Sequence, residues 1–484
     1  MIWESNMSYT SLNFYLLLLL IVIVYYTLPL KIRWFALLAG SLSFYYIISK
    51  SGFIIFLATI LATYLFGIFI SASKNKIVAK IHLFIAVTVS VFPLFAIKTS
   101  NFVMSIFDIE KTSWIVPVGI SFYSLQLISY IVDIYRGKIK PQKNILKYML
   151  FASFFPQIIQ GPIPRYEQLG KQLFEGHRFD EDEITKGIHL VIWGFFLKFM
   201  IADKAGVVVN TIFDNYKLYP GLYVVVGGIL YSIQLYADFM ACTTISQGVA
   251  QIFGIHLMDN FEHPYMAVSI KDFWRRWHIS LSSWLRDYVY IPLGGNRKGK
   301  FMKYVNLLLT FFISGIWHGA DYNYIVWGLL HGIYQIVGDL TAKIKGKVYD
   351  RLKMPEGIAV RRWIQRAGTF IWVTLAWIIF RADTLGHAVT MIRSIFTIRN
   401  PWILFNDSLF QLGLSWKEWC VLVLSVMLLI KVSMKQEEVC IRDRILNQHI
   451  VVRWFIYVAA ISVIWVFGTY GYGFDVKDFI YGGF

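Results

Sequence analysis

The sequence predicts an all-α integral membrane protein that crosses the bilayer many times. Of its 484 residues, 57% are hydrophobic and only 15% are charged, so a soluble fold could not cover its apolar surface. The apolar residues gather in runs of about 17 to 25, the length that a helix needs to span the hydrocarbon core. Lysine and arginine concentrate in the short loops between these runs, as in cytoplasmic loops. We therefore expect about 11–12 transmembrane helices in a single transmembrane domain over residues 1–484.

Twelve apolar runs are the predicted spans. The first, 12–30, is too long for the core of a cleavable signal peptide, and we expect it to be retained. Residues 341–366 hold eight basic and two acidic side chains, which is the strongest cytoplasmic signal in the chain. The other runs lie at about 34–48, 53–70, 81–97, 114–134, 187–201, 221–241, 304–317, 324–340, 363–380, 419–430 and 452–467.

Four segments do not fit the pattern of a simple span. The run 151–166 is apolar but is interrupted by three prolines and a glycine, so we expect a broken or re-entrant segment surrounded by protein. Residues 271–293 are rich in Arg, Trp and Ser and predict an amphipathic or re-entrant helix on the inner side. The mixed segment 382–417 and the tail 471–484 are expected to face outward.

Charge and cysteine content exclude several functions. A formal net charge of +17 suggests nucleic-acid binding in a soluble protein, but here the basic residues fit loops that face an anionic leaflet. Cys242, Cys420 and Cys440 lie too far apart to indicate a disulfide framework or a metal cluster. We therefore predict no metal and no permanently bound cofactor. No long internal repeat is visible, unlike the doubled halves of many transporters.

Polar side chains recur at intervals of four within several spans. Such spacing keeps them on one helix face, and several stripes of this kind suggest a shared polar interior. The alternative is that these side chains only join neighbouring helices. For Asp238 the two interpretations are equally open, whereas for Thr310 and Ser314 we favour contact between helices. The stripes are Asn306, Thr310, Ser314 and His318; His331, Gln335 and Asp339; Gln126, Ser129, Asp133 and Arg136; and Tyr231, Gln234 and Asp238.

Two histidines stand out from the other eight. His318 is flanked by Gly315 and Gly319, which allows a substrate or another backbone to approach closely. A neutral imidazole can accept the proton of an alcohol, although a histidine on an apolar face is more often a core residue. His278 is expected on a helix face with Trp274, in a segment that is either an interfacial anchor or an inner vestibule. In the vestibule, arginines would attract a phosphorylated carrier: Arg275, Arg276 and Arg286.

The motifs around these histidines resemble a known family. DFWRRWHISLSSWLRDYVYIPLGGN precedes GIWHG and WGLLHG, while GISFYSLQLISYIVDIYRG, FPQIIQGPIPRY and YADF followed by FGIHLMDNFEHPY come earlier in the expected order. Together they resemble the membrane-bound O-acyltransferase superfamily, in its bacterial alginate O-acetyltransferase-like branch. The resemblance implies that fold, with re-entrant helices around a central tunnel. It also implies a core signature region at 116–340 and peripheral helices at both ends.

The resemblance also implies a site and a reaction. His318 is then the catalytic histidine and His278 the second polar position, which orients the donor or polarises its carbonyl. The donor is a cytoplasmic thioester, acetyl-CoA or an acyl carrier protein, and the acceptor is a hydroxyl group reached from outside. A covalent acyl-enzyme through Ser314 is a less favoured route. The tunnel residues expected on this reading are Asn306, Thr310, Ser314, Trp317, His331, Asp238 and Gln126.

The expected role is O-acetylation of an extracellular or cell-envelope polysaccharide. By the same resemblance, an extracytoplasmic acetyltransferase or esterase-like partner assists, and the chain resides in the bacterial cytoplasmic membrane. Two alternatives remain open at this stage. One is D-alanyl transfer toward teichoic acid, and the other is a transporter or flippase with an intramembrane His/Asp relay.

Overall fold

A computed structural model describes residues 7–107, 116–436, 439–470 and 479. Within these ranges the chain is helical and has no strand, apart from one isolated bridge between Phe261 and Trp277. The all-α fold class is confirmed. The start of the span predicted at 114 and the tail 471–484, except for residue 479, lie outside the described residues. The described residues form two compact units, while the single domain over 1–484 stays a prediction.

The first unit contains the described residues up to Gly194 together with Cys242–Asp259. Its helix α6 begins where the Asn144 side chain accepts the N–H groups of Leu146 and Lys147. The helices are α1 (Leu12–Thr27), α2 (Arg33–Ile48), α3 (Phe53–Ala72), α4 (Lys76–Ile106), α5 (Ile120–Tyr135), α6 (Ile145–Ser153), α7 (Tyr166–Phe174) and α8 (Glu181–Phe195).

The second unit contains Phe195–Ala241 and the described residues from Asn260 onward. A π-helical stretch, Phe196–Ala202, joins α8 to α9, and α10 continues from this unit into the first. The helices are α9 (Asp203–Asp214), α10 (Leu222–Ile252), α11 (Ile270–Arg276), α12 (Ile279–Leu285), α13 (Gly299–His318), α14 (Tyr322–Arg351), α15 (Ala359–Arg381), α16 (Leu385–Thr397), α17 (Trp416–Gln436), α18 (Ile441–Leu446) and α19 (Ile450–Phe467).

All twelve predicted spans coincide with helix. Among the described residues, six helical stretches are long and apolar enough to cross a membrane by themselves, and α1 and α5 are shorter apolar helices. The chain is therefore a multi-pass membrane protein. The remaining four spans, α2, α13, α14 and α17, are helical as predicted. The six stretches are Phe53–Ala72, Lys76–Ile97, Glu181–Asp214, Leu222–Ile252, Ala359–Arg381 and Ile450–Phe467.

The two interrupted segments differ in outcome. The break predicted in 151–166 is confirmed, because α6 ends at Ser153 and the irregular chain that follows is buried up to Pro164. Protein thus surrounds the non-helical backbone, as membrane depth requires. The single helix expected over 271–293 is wrong. It is divided into α11, α12 and a π-helical turn, Arg286–Tyr290, with a sharp break at His278.

Candidate active site

The polar stripe of α13 faces protein along its whole length. Asn306, Thr310, Ser314 and His318 are all buried, which confirms that the interval of four marks an inward helix face. The Asn306 side chain donates to the Gly295 carbonyl at 3.0 Å, and the Thr310 hydroxyl donates to the Asn306 carbonyl at 2.7 Å. These two side chains therefore have structural hydrogen bonds within the unit.

Glycines bring α13 and α14 into close backbone contact. A Cβ on Gly315 would lie 2.6 Å from the Tyr324 carbonyl oxygen, and one on Gly328 would lie 2.4 Å from that of Phe311. No side chain fits at either distance. The sequence allowed either a substrate or another backbone beside Gly315, and the structure has the backbone of α14 there. The short turn that joins α13 to α14 thus fixes His318, the last residue of α13, against α14.

His318 lies in an aromatic pocket. The centre of its ring is 4.7 Å from that of Trp317, 5.0 Å from that of Trp327 and 5.4 Å from that of Phe380. Only 3% of the residue is exposed. The ring is therefore shielded from solvent, which strengthens electrostatic interactions around it, and a substrate can reach the imidazole only when a neighbouring group moves.

His278 is not on a helix face, contrary to the expectation from the sequence. It precedes α12 as its N-cap residue with φ +44°, a left-handed conformation that is uncommon for a residue other than glycine. Its Nδ1 is 3.2 Å from Oδ1 of Asn260, and its ring packs perpendicular to that of Phe239 with 4.7 Å between ring centres. The residue is buried. Asn260 was not foreseen, because it is 18 positions away along the chain.

One indole connects the two histidines. Trp317 contacts His318 at 4.7 Å and His278 at 6.0 Å between ring centres. Both imidazoles therefore lie beside the same side chain in the second unit. The sequence placed them in separate segments, and the structure brings them together.

His331 lies in the same aromatic cluster, behind Trp327. The Trp274 indole N–H donates to Nδ1 of His331 at 3.2 Å. Because an indole nitrogen can only donate, Nδ1 must accept, and the neutral imidazole carries its proton on Nε2. The ring of Trp327 is 5.2 Å from that of His331 and 5.0 Å from that of His318. His331 thus supports the pocket from a second layer, with Trp377 stacked on Trp327 at 5.5 Å.

Asp238 belongs to a buried ion cluster. Its Oδ1 lies 2.8 Å from Nζ of Lys198, which is also 3.0 Å from Oδ1 of Asp203. All three side chains are at most 11% exposed. Of the two interpretations open for Asp238, pairing between helices is the one that the contacts support. Lys198 was not singled out from the sequence, although a lysine inside an apolar run is itself a signal.

Gln126 lies in the first unit, on the buried helix α5. Its amide N–H donates to the Phe151 carbonyl at 2.6 Å, and the Gln157 side chain donates to its oxygen at 3.4 Å. The first contact ties α5 to α6, and the second ties it to the irregular segment that follows α6. Its assignment to the tunnel stays a prediction.

Each of the three arginines suggested for donor binding is paired with an acidic side chain. Arg275 and Arg276 both donate to Oδ1 of Asp272, at 2.9 and 3.2 Å, and Arg286 pairs with the adjacent Asp287 at 2.8 Å. Although burial opposes ionisation, hydrogen bonds from Arg275, the Val268 N–H and Arg276 hold the pKa of Asp272 below its ordinary value. The positive charge available to a phosphorylated carrier is correspondingly reduced. Among the described residues, no group of His, Cys, Asp and Glu is placed to hold a metal ion.

Comparisons with known proteins identify the family of the chain. The model of the MBOAT, membrane-bound O-acyltransferase family, matches residues 140–347, which include both site histidines. The chain is 38% identical over 306 residues to the probable alginate O-acetylase AlgI of Pseudomonas putida, which is 63% of this chain but only 60% of that protein. It is 32% identical to the peptidoglycan O-acetyltransferase of Helicobacter pylori, over 74% of this chain and 72% of the relative. The teichoic acid D-alanyltransferase of Bacillus subtilis is 34% identical over 45% of this chain and 57% of its own length.

Proposed function

Since this chain belongs to the membrane-bound O-acyltransferase family, we propose that it transfers an acyl group from a thioester to a hydroxyl group, with His318 at the reacting centre. One observation carries the proposal most strongly. Two buried imidazoles, His318 and His278, lie against a single indole, Trp317, inside a membrane protein. Burying a polar ring costs free energy unless its nitrogens are hydrogen-bonded, and buried titratable groups are concentrated at functional sites.

In the proposed reaction, His318 acts as general base. It accepts the hydroxyl proton as the oxygen attacks the thioester carbonyl carbon, the C–O bond forms, and the C–S bond breaks. The departing sulfur takes the proton back from the imidazolium, so that the products are an ester and a free thiol. Removing the hydroxyl proton in this way is worth about 10² to 10⁴-fold in rate.

We propose that the donor is acetyl-CoA, or an acyl carrier protein thioester, on the cytoplasmic side. The basic segment 341–366 supports this orientation. The acceptor is a hydroxyl group of a cell-envelope or extracellular polysaccharide, reached through an extracytoplasmic acetyltransferase or esterase-like partner. The Pseudomonas relative is named a probable alginate O-acetylase and the Helicobacter relative a peptidoglycan O-acetyltransferase. These names support an acetyl group as the group transferred and a polysaccharide as the acceptor. The membrane is then the bacterial cytoplasmic membrane.

Release of free thiol tests the function directly. Purified protein in nanodiscs receives acetyl-CoA and a hydroxyl acceptor, and thiol is followed with a chromogenic disulfide. We expect release by the unaltered protein and by His449→Ala, which changes an exposed histidine. His318→Ala should abolish release while the purified variant keeps its unfolding midpoint.

The same assay separates the alternatives. Thiol release from a D-alanyl carrier thioester, but not from acetyl-CoA, would make the chain a D-alanyltransferase of the kind named for the Bacillus relative. Solute flux that persists in His318→Ala, with no thiol released under any acceptor, would overturn acyl transfer in favour of a transporter. A stable acyl-protein adduct that is lost in Ser314→Ala would replace direct transfer by the covalent route.

A further inference from the structure

The side-chain oxygen of Asn260 collects three hydrogen bonds beside the active site. It is 3.1 Å from the Ser280 backbone N–H, 2.8 Å from the Ser280 hydroxyl and 3.2 Å from Nδ1 of His278. The backbone of this segment is also fixed, because the Ile279 N–H donates to the Asn260 carbonyl at 2.9 Å. All of these groups belong to the second unit, and Asn260, His278 and Ser280 are buried.

This arrangement assigns the proton on His278. The Ser280 backbone N–H can only donate, so the atom of Asn260 that faces it must be the amide oxygen and not the amide nitrogen. An amide oxygen can only accept, so Nδ1 of His278 must donate to it. A neutral imidazole carries one proton. Nε2 of His278 therefore bears a lone pair and accepts hydrogen bonds.

We propose that Asn260 is a positioning residue that holds His278 in the Nδ1–H tautomer, so that Nε2 accepts a hydrogen bond from an N–H or O–H group of the bound substrate. The inference rests on the proposed acyltransferase function. It changes the role expected for His278. In this tautomer the neutral ring cannot donate to the acyl carbonyl oxygen, and it orients the substrate by accepting instead.

Two features of the structure hold the ring in place for this role. The left-handed backbone at His278 places its side chain beside Asn260, and the Phe239 ring packs perpendicular to the imidazole with 4.7 Å between ring centres. The Trp317 ring, which also contacts His318, lies 6.0 Å from the imidazole. His278 and His331 are thus fixed in opposite tautomers, each by one neighbour that leaves a single assignment.

Nitrogen NMR of the full-length protein tests the tautomer without any activity. The chain is labelled with ¹⁵N-histidine in nanodiscs, and His278→Gln identifies the signals of residue 278. We expect the Nδ1–H pattern in the unaltered protein and in Asn260→Asp, whose carboxylate still accepts all three donors. In Asn260→Leu, which removes the acceptor, the Nε2–H form should appear. An Nε2–H pattern in the unaltered protein would overturn the proposal.

Kinetics provide the second readout. Asn260→Leu should lose about 10- to 100-fold in kcat/KM, the usual effect of removing a second-layer partner, and Asn260→Asp should restore most of it. Ser280→Ala is the matched control: it removes another donor to the same oxygen, keeps the imidazole bond and should stay near unaltered activity. A higher KM for the thioester in Asn260→Leu identifies an amide N–H of its arm as the group bound, and a higher KM for the acceptor identifies its hydroxyl. Unchanged kinetics in folded Asn260→Leu would refute the positioning role.

Failure of this inference and failure of the proposed function give different results. If the Nδ1–H tautomer is found but no thioester and acceptor pair releases thiol, the tautomer stands and the acyltransferase function falls. If thiol is released while His278 is in the Nε2–H tautomer, the function stands and the role of Asn260 falls.

Discussion

Replacing Lys198 by methionine should be among the most destabilising single changes in the second unit. The Lys198 side chain is only 3% exposed, and its Nζ lies 3.0 Å from Asp203 and 2.8 Å from Asp238. The substitution keeps much of the volume but leaves two carboxylates whose oxygens lie at most about 6 Å apart, since both are within 3.0 Å of one nitrogen. Breaking a buried ion pair costs about 3 to 5 kcal/mol.

A matched substitution and a compensated variant serve as controls for Lys198→Met. Lys303→Met removes a comparable contact, 2.6 Å to Asp339, but one that is 32% and 48% exposed, so it should cost only about 0 to 1 kcal/mol. The triple variant Lys198→Met, Asp203→Leu, Asp238→Leu should recover most of the loss, because an apolar replacement of a whole buried cluster is often neutral.

Unfolding in mixed micelles with increasing SDS, followed by tryptophan fluorescence, measures these differences. If Lys198→Met and Lys303→Met shift the midpoint equally, the argument from burial is refuted. The acyl-transfer assay on the triple variant then separates stability from function. Retained transfer means that the cluster joins helices only, whereas a folded but inactive triple variant means that it also serves the reaction.

Three further predictions follow from single contacts. Gly328→Ala should lower the free energy of unfolding by about 1 to 3 kcal/mol and reduce thiol release, because the added methyl group separates α13 from α14. Gly338→Ala, where a Cβ meets open space, should raise the free energy of unfolding by about 0.5 to 1 kcal/mol. Unfolding midpoints measure both changes. Trp274→Phe removes an indole N–H from a buried imidazole and should cost about 0.5 to 1.5 kcal/mol, with a mixed tautomer in ¹⁵N NMR. Burial raises the pKa of Glu418, but hydrogen bonds from Ser415 outweigh it and hold this pKa below its ordinary value of 4.5. The unaltered protein should therefore have a higher unfolding midpoint than Glu418→Gln above pH 4.5, and the difference should vanish as the pH falls.

The helices and the inward face of α13 could be predicted because both depend on local patterns. Runs of apolar residues mark spans wherever lipid is the solvent, and the interval of four from Asn306 to His318 is a property of one helix. The hairpin of α13 and α14 follows from the short polar turn between two apolar runs. Each of these features is encoded within about 20 residues, and each is present in the structure.

The surroundings of His278 could not be predicted in this way, because they depend on contacts between distant residues. The bridge between Phe261 and Trp277 and the bond from Ile279 to Asn260 interrupt the helix that the local pattern suggested. Helical spacing therefore assigned the wrong neighbours to the ring. A single sequence contains no periodic signal for Asn260. The same holds for Lys198 and Asp238, which are 40 positions apart, although a lone lysine in an apolar run calls for a partner.

Both site histidines are buried in the same aromatic cluster. His318 and His278 are 3% and 1% exposed, so neither can meet a substrate while the aromatic rings keep their packing. Trp317 touches both imidazoles, and it is adjacent in sequence to one of them. Movement of this one indole therefore changes the packing of a base and of a fixed hydrogen-bond acceptor together. Because the Asn260 bond holds His278 independently of Trp317, the acceptor keeps its orientation when the indole moves.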